Sequence, residues 1–375
     1  MKMNKCPVSE KCGACNYINI PYKKEITLKQ ESLSSLFERK VEPIIKMNNP
    51  YNYRNKVHSV FKFYSNKVIC GRYKNNSHFI VESDNCLIED KKAQDIIVTI
   101  KKLVSDFKLK IFNEDSQSGL IRHVLIRHAL NTDEIMVTLV VGENKFPSRR
   151  NFLKALLDKH PEITTVVLNY NRRKTSIILG DKEEVIFGKG YICEELCGLK
   201  FKLSSKSFFQ VNTIQTEILY NTALKYAELK KDDVLLDAYC GTGTIGLIAS
   251  RYVKRVIGVE INNESIKDAI QNAKMNKINN AFFINADATE YIKDVAEKID
   301  IVIMDPTRDG STVTFLNGIK KLKPKKIVYI SCNPLTLKRD LSYLENDYKV
   351  EVLQPVDLFP HTKHTEMICV MKKMR

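Results

Sequence analysis

Two side chains late in the sequence have the types needed for a demanding carbon methylation: Cys332 in Ser331-Cys332-Asn333-Pro334, and Glu366 in His364-Thr365-Glu366. Carbon 5 of a uracil is a poor nucleophile. A thiolate that adds to C6 turns C5 into an enolate carbon able to attack a methyl sulfonium. A base must then remove the C5 proton so that the thiol can be expelled. The chemistry needs one covalent nucleophile and one proton acceptor. Taken alone, Cys332 reads as a buried cysteine ending a core strand, since free cysteine is among the most buried residue types. The remaining motifs favour chemistry.

Val234–Gly246 reads as a strand, a glycine turn and a helix, with Gly241, Gly243 and Gly246 spelling G-x-G-x-x-G. Glu260 ends the next strand about 20 residues on, where a carboxylate can accept hydrogen bonds from ribose hydroxyls. The motif serves dinucleotides and S-adenosylmethionine alike. Its place in the C-terminal half favours S-adenosylmethionine, as does Asp237, which precedes the turn and could face a cationic amino-acid tail. Asp287, after the third strand, is placed to meet an adenine edge. The fourth strand ends in Asp305-Pro306-Thr307-Arg308-Asp309-Gly310. Because the carboxyl ends of strands carry the chemistry in open α/β sheets, Asp305 and Cys332 are expected side by side at the ends of strands four and five. Arg308 has two readings: a group that binds phosphate or lowers the thiol pKa, or a surface turn residue.

Cys6, Cys12 and Cys15 form C-x5-C-x2-C, and Cys86 supplies a distant fourth. This set predicts a thiolate-bound metal. Tetrahedral zinc and a [4Fe-4S] cluster both use four cysteines, and the spacing does not choose between them. Cys70, Cys193, Cys197, Cys240 and Cys369 have no such pattern and read as core or incidental residues.

The elements that must position these groups fall into two patterns. Up to about residue 195 the reading is α+β: a helix over 24–39, a hairpin over 56–82, a helix over 91–107, a second hairpin over 120–141, a helix over 149–160 and two strands in 163–180. From residue 230, short apolar runs at 234–240, 255–261, 281–285, 299–305 and 326–331 alternate with helical segments, the signature of a doubly wound parallel sheet. Segments after Tyr348 and Met367 finish it as a hairpin. The expected domains are therefore 1–195 and 196–375. The chain has 375 residues, 43% of them hydrophobic, enough for two or three packed domains. No run of 18 apolar residues predicts a membrane span. Met1-Lys2-Met3-Asn4-Lys5-Cys6 has no apolar stretch behind its lysines, so a cytoplasmic protein is expected, and in that compartment the ten cysteines point to metal binding or catalysis. The net charge is +16, and residues 1–80 alone hold 15 Lys+Arg against 5 Asp+Glu, a net +10. That fits a polyanion-binding module; the competing reading is the ordinary lysine excess of an AT-rich genome.

Taken together, the four cysteines, Ser207-Phe208-Phe209-Gln210-Val211-Asn212, the Asp237–Thr244 loop, Asp305-Pro306, Ser331–Pro334 and Phe359–Glu366 resemble the RNA uracil-C5 methyltransferases over nearly the whole chain. That family includes enzymes for 23S rRNA and for the T-loop uridine of tRNA. The resemblance implies a class I S-adenosylmethionine-dependent methyltransferase domain, Rossmann-like, behind an N-terminal α+β RNA-binding domain carrying the cysteines. It implies that Cys332 is the nucleophile and Glu366 the base. It implies that Gln210, Tyr239, Glu260 and Asp305 contact S-adenosylmethionine, to which the loop reading adds Gly241 and Asp287. It also implies a [4Fe-4S] cluster at Cys6, Cys12, Cys15 and Cys86, with a structural or RNA-folding role. Two departures stand out. Only five residues precede Cys6, so the β-barrel that many members carry there is not expected, and Thr307 stands where a second proline is usual. Tyr22, Tyr51 and Tyr53 with Lys23, Lys24, Arg54 and Lys56 are the expected RNA face; Arg122, Arg127, Arg172 and Arg173 are the second choice. The cluster leans the expected substrate toward rRNA, with tRNA as the alternative; no obligate protein partner is expected. Competing readings are an RNA cytosine-C5 methyltransferase, a non-catalytic iron–sulfur RNA-binding protein and a dinucleotide-dependent oxidoreductase. The late glycine loop and the Cys332/Glu366 pair disfavour the last two.

Overall fold

A computed structural model describes residues 5–74, 77, 79–174 and 177–374. Residues 1–4 of the N-terminal stretch read above, 75, 76 and 78 in the expected 56–82 hairpin, 175 and 176 in the expected 163–180 strands, and 375 lie outside the described residues. The chain opens with α1 (Ser9–Cys12) and α2 (Tyr22–Phe37). It divides into two compact units. One comprises the chain up to Asn19, Pro50–Glu195 and Lys202–Lys206; the other comprises Ile20–Asn49, Leu196–Phe201 and Ser207 onward.

The first unit is built on β1 (Lys56–Tyr64), β2 (Lys67–Tyr73), β3 (Ile80–Glu82), β4 (Ile121–Ala129), β5 (Glu134–Val141), β6 (Ile163–Tyr170) and β7 (Lys182–Phe187), in sheet order β3-β2-β1-β4-β5-β6-β7. Helices α3 (Lys91–Asp106) and α4 (Arg149–Lys159) supply Ile96, Ile100, Phe152 and Leu156 to a core shared with Val57, Phe61, Val124, Ile126 and Val137. Asp90 starts α3 by accepting a hydrogen bond from the Ala93 N–H at 2.9 Å, which satisfies one of the orphan donors of the first turn. The expectation of two strands within 163–180 is corrected. Among the described residues the chain leaves the sheet at Asn171, whose side-chain amide donates to the carbonyls of Ile177 and Ile178, and the next strand begins at Lys182. Strands β8 (Ile192–Leu196) and β9 (Leu199–Leu203) form a separate two-stranded sheet.

The second unit has the expected alternating order: α5 (Thr213–Ala227), β10 (Val234–Ala238), α6 (Thr244–Ala249), β11 (Arg255–Glu260), α7 (Asn263–Met275), β12 (Ala281–Asn285), α8 (Ala288–Tyr291), β13 (Ile301–Met304), α9 (Val313–Leu322), β14 (Lys326–Ser331), α10 (Pro334–Leu344), β15 (Tyr348–Val356) and β16 (Glu366–Lys373). The sheet order is β12-β11-β10-β13-β14-β16-β15. The first five strands are parallel, and the antiparallel β15–β16 hairpin closes the edge. Two segments depart from an uninterrupted division at residue 195: Lys202–Lys206 groups with the first unit, and Ile20–Asn49 with this one, where Leu33 and Phe37 of α2 are buried in the same core as Leu236, Val302, Phe315 and Leu337. Each such fully buried side chain stabilises the fold by about 1.5–3 kcal/mol. Among the described residues, no helix is long and apolar enough to cross a membrane.

Candidate active site

The glycine loop follows β10. Tyr239, Gly241 and Gly243 take left-handed backbone angles of φ 64°, 53° and 80°, which turn the chain sharply into α6. Gly246 has no space for a side chain: a Cβ there would lie 2.7 Å from Asp237 Oδ2, the oxygen that accepts the Gly246 N–H at 2.8 Å. Glu260, at the end of β11, accepts the N–H of Gly241 at 3.2 Å and that of Asn262 at 2.8 Å. Tyr239 packs its ring 5.3 Å from Phe315 and shares a 3.0 Å hydrogen bond with Ser311. Asp287 caps α8, accepting the Thr289 N–H at 2.6 Å. Gln210 is half-buried just ahead of α5, next to the exposed Phe208.

Cys332 is set by local chemistry. Ser331 closes β14, the Asn333 side chain accepts the Leu335 N–H at 3.1 Å, and Pro334 opens α10. Proline suits a first helical position because its missing N–H would be an orphan there. Cys332 therefore sits in a strand-to-helix turn at a helix N-terminus, where the dipole favours a thiolate. The register across the antiparallel pair aligns Ser331 with Met367. Cys332 follows Ser331 just beyond the ladder and Glu366 precedes Met367 on β16, so the two lie near one another, and the Glu366 charge acts on the Cys332 thiol. Asp305 directly follows the neighbouring strand β13.

This end of the sheet is crowded with acids. Burial, and then Asp305, push the Glu366 carboxyl up to about 8, against the pull of Arg308. Burial pushes Asp305 up to about 7. Asp237 also rises to about 7 through burial, although the Gly246 N–H opposes the shift. Burial, followed by Glu366 and Asp305, raises the Cys332 thiol to about 11, with Arg308 again opposing. Arg308 thus acts electrostatically on both Cys332 and Glu366. Its guanidinium is 3.0 Å from His364 Nδ1, and its carbonyl accepts from Asn333 Nδ2 at 3.1 Å. Of the two readings of Arg308, the structure shows features of both: it is an exposed turn residue, and its charge acts on Cys332 and Glu366. His364 and Ser311 were not singled out; the sole sequence signal for them was their position beside Glu366 and Arg308.

Cys6, Cys12, Cys15 and Cys86, all in the first unit, are free and half-buried. The Cys15 thiol is pushed up to about 12, first by burial, then by Cys86, Cys12 and Cys6, while Arg72 opposes. The four are thus electrostatic neighbours. Cys86 is fixed by Gln94, whose amide pairs with its N–H and carbonyl at 2.7 Å each. Among the described residues, no group of three or more His, Cys, Asp or Glu is drawn together tightly enough to hold a metal ion.

The expected RNA face is corrected in part. Tyr53 is 2% exposed and cannot stack on a base, while Tyr22 is half-buried with its hydroxyl committed to Asp357 and Met47. Arg122 and Arg127 are 3% and 5% exposed, Arg122 being tied to Glu114 through both Nε and Nη2. The basic stretch 1–80 is also divided between the units, since Lys23 and Lys24 lie on α2 while Arg54 and Lys56 belong to the first unit. Lys23, Lys24, Arg172 and Arg173 remain exposed.

Comparison with known proteins bears on this geometry. Residues 133–374 match the family described as tRNA (uracil-5-)-methyltransferase. An uncharacterized RNA methyltransferase of Clostridium tetani is 40% identical over 98% of this chain and 82% of its own length. One from Staphylococcus aureus is 38% identical over 97% of this chain and 83% of its own. The structure of the Pyrococcus abyssi tRNA (uracil-54, C5)-methyltransferase, in complex with S-adenosyl-L-homocysteine, is similar with a TM-score of 0.82 and 25% identity, covering 98% of this chain and 87% of that one.

Proposed function

Since the chain belongs to the tRNA (uracil-5-)-methyltransferase family of RNA methyltransferases, we propose that it methylates C5 of a uridine in RNA through a covalent Cys332 adduct. The observation that supports this reading is that paired strands β14 and β16 bring Cys332, which follows Ser331, near the buried Glu366, which precedes Met367, with the Asp305 charge acting on both. S-adenosylmethionine would supply an electrophilic methyl group on a cationic sulfonium. The donor set fits such a cation: Asp237, Asp305 and Glu366 are acids raised by burial, and a positive ligand among them offsets their mutual repulsion. Gln210, Tyr239, Gly241, Glu260, Asp287 and Asp305 would line its site.

Cys332, ionised to the thiolate by loss of its proton to solvent, forms an Sγ–C6 bond; the C5=C6 electrons move to C5, which would take the methyl group as its bond to the sulfonium sulfur breaks and leaves a neutral thioether. Glu366 then takes the C5 proton. The C5=C6 bond is restored, the Sγ–C6 bond breaks, and Cys332 leaves as a thiolate. Arg308 favours the ionised form of both groups, easing addition at one step and proton acceptance at the other. The second unit carries this chemistry; the first unit contributes RNA capture.

Cys6, Cys12, Cys15 and Cys86 would hold a [4Fe-4S] cluster in the first unit, tying the N-terminal loop to the segment ahead of α3. Four neighbouring free thiols beside Arg72 support that donor set, and its role there is structural. The cluster directs the reading to 23S rRNA. The T loop of tRNA is a second reading, favoured by the likeness to the Pyrococcus enzyme. Mapping 5-methyluridine in rRNA and tRNA from cells with and without the gene tests both. Loss from 23S rRNA supports the first, loss from tRNA the second, and loss of 5-methylcytidine instead overturns uracil chemistry.

A further inference from the structure

Between β15 and β16 the chain runs through Asp357–Thr365 before reaching Glu366. This loop has no regular structure of its own, and His361 takes a left-handed φ of 68°, a strained conformation for a residue with a Cβ. What holds it comes from more than 300 residues earlier in the chain. On α2, Glu25 Oε1 accepts the His361 N–H at 2.7 Å, and Oε2 lies 3.3 Å from the His361 ring Nδ1. Lys29 Nζ donates to Asp357 Oδ1 at 2.7 Å, approaches the Phe359 carbonyl at 3.4 Å and pairs with Glu25 at 2.8 Å. Tyr22 donates to Asp357 Oδ2 at 2.6 Å.

These side chains are out of solvent: Glu25, Asp357 and His361 are 0% exposed and Lys29 is 4%. Buried ion pairs are poor sources of stability, because desolvation roughly cancels their attraction, and an apolar contact would stabilise a helix against a loop at least as well. Directional bonds do supply one thing an apolar contact does not, a fixed backbone path. The network grips the loop at residues 357, 359 and 361, within ten residues of Glu366.

We propose that Glu25 and Lys29 are positioning residues for the methyl transfer: they hold the Asp357–Thr365 loop so that Glu366 meets the C5 proton. Helix α2 is thereby part of the catalytic unit. This rests on Glu366 being the base, and the controls separate the two claims.

The test uses the full chain carrying Glu25→Gln, Lys29→Met or both, beside wild type, Cys332→Ala and Glu366→Gln. In the α2 variants, amide exchange should rise over 357–365 while β10 and β11 stay protected and S-adenosylmethionine affinity is unchanged. kcat should fall by about 10²-fold, the scale of a displacement near 1 Å, with KM for RNA little altered. RNA linked to Cys332 should accumulate on denaturing gels, as with Glu366→Gln, since a misplaced base stalls the step that releases it. A purely structural role would not produce that trapped species. Wild-type kcat, or a loss of rate with exchange raised throughout and no adduct, overturns the inference. Glu25→Gln, which leaves Lys29 paired with Asp357, keeps the test decisive if the variants that remove Lys29 and strand the buried Asp357 carboxylate unfold the chain. If Glu366→Gln itself turns over normally, the assignment of the base fails, and the exchange arm still reports whether α2 holds the loop.

Discussion

Glu366→Gln should make the ligand-free protein more stable and inactive at once. The carboxyl is 3% exposed and is pushed from 4.5 to about 8 in the fold. A folded-state value above the unfolded one means that the native state prefers the proton. The stability the acid contributes is full below about pH 4.5 and is lost as pH rises toward 8. At 1.36 kcal/mol per pKa unit, the loss approaches roughly 5 kcal/mol, a ceiling because Asp305 shares the same titration. Glutamine has the shape of the protonated acid and no proton to lose. Thermal melts of wild type and variant should coincide near pH 5 and diverge by several degrees near pH 8, at about 2–4 °C per kcal/mol for units of this size. The same variant should form the Cys332 adduct but fail to release it, giving a slow-migrating protein–RNA band that RNase collapses. Parallel melting curves across that pH range would refute the buried, proton-retaining carboxyl; normal turnover would refute its role as base.

Cys332→Ala should abolish methyl transfer while S-adenosylmethionine still binds, because the C6 adduct activates C5 and cofactor binding does not use the thiol; radiolabel transfer to RNA at the wild-type rate would exclude the covalent route. Gly246→Ala should weaken S-adenosylmethionine binding and destabilise the protein by about 1–3 kcal/mol, since its Cβ would press on Asp237 Oδ2; unchanged calorimetric affinity would show that the loop adjusts freely. Anaerobically purified protein should be brown with about four irons per chain, and Cys86→Ser should lose that iron; stoichiometric zinc without iron would replace the cluster by a structural zinc site. Methyl transfer by wild type should climb with pH toward the Glu366 value of about 8, because the base must be ionised, and Arg308→Gln should move that limb to higher pH; an unmoved profile would remove Arg308 from the electrostatics of the site.

Much of the site was legible in the sequence wherever the chemistry is local. The glycine turn after β10 is encoded by residues that need left-handed backbone or that leave no room for a Cβ, and the turn holding Cys332 by a capping Asn333 and a first-turn Pro334. Strands β10, β11, β13 and β14 were likewise visible as short apolar runs, because strands buried on both faces carry no alternation to confuse with anything else; β12 lies at the edge of the sheet, with Phe282 46% exposed. Long-range pairing decided the rest. No local pattern assigns α2 to the C-terminal core; Leu33 and Phe37 do so only when packed against Leu236 and Phe315. Tyr22 and Tyr53 read as candidate base-stacking groups because exposure is not written in residue type, and Arg122 and Arg127 read as RNA contacts although the fold buries both. The carboxyl of Glu366 is an ordinary acid in the sequence. It becomes a carboxyl that retains its proton only when the fold buries it near Asp305 and Cys332, since its proton affinity depends on the dielectric and the charges that the tertiary fold brings around it.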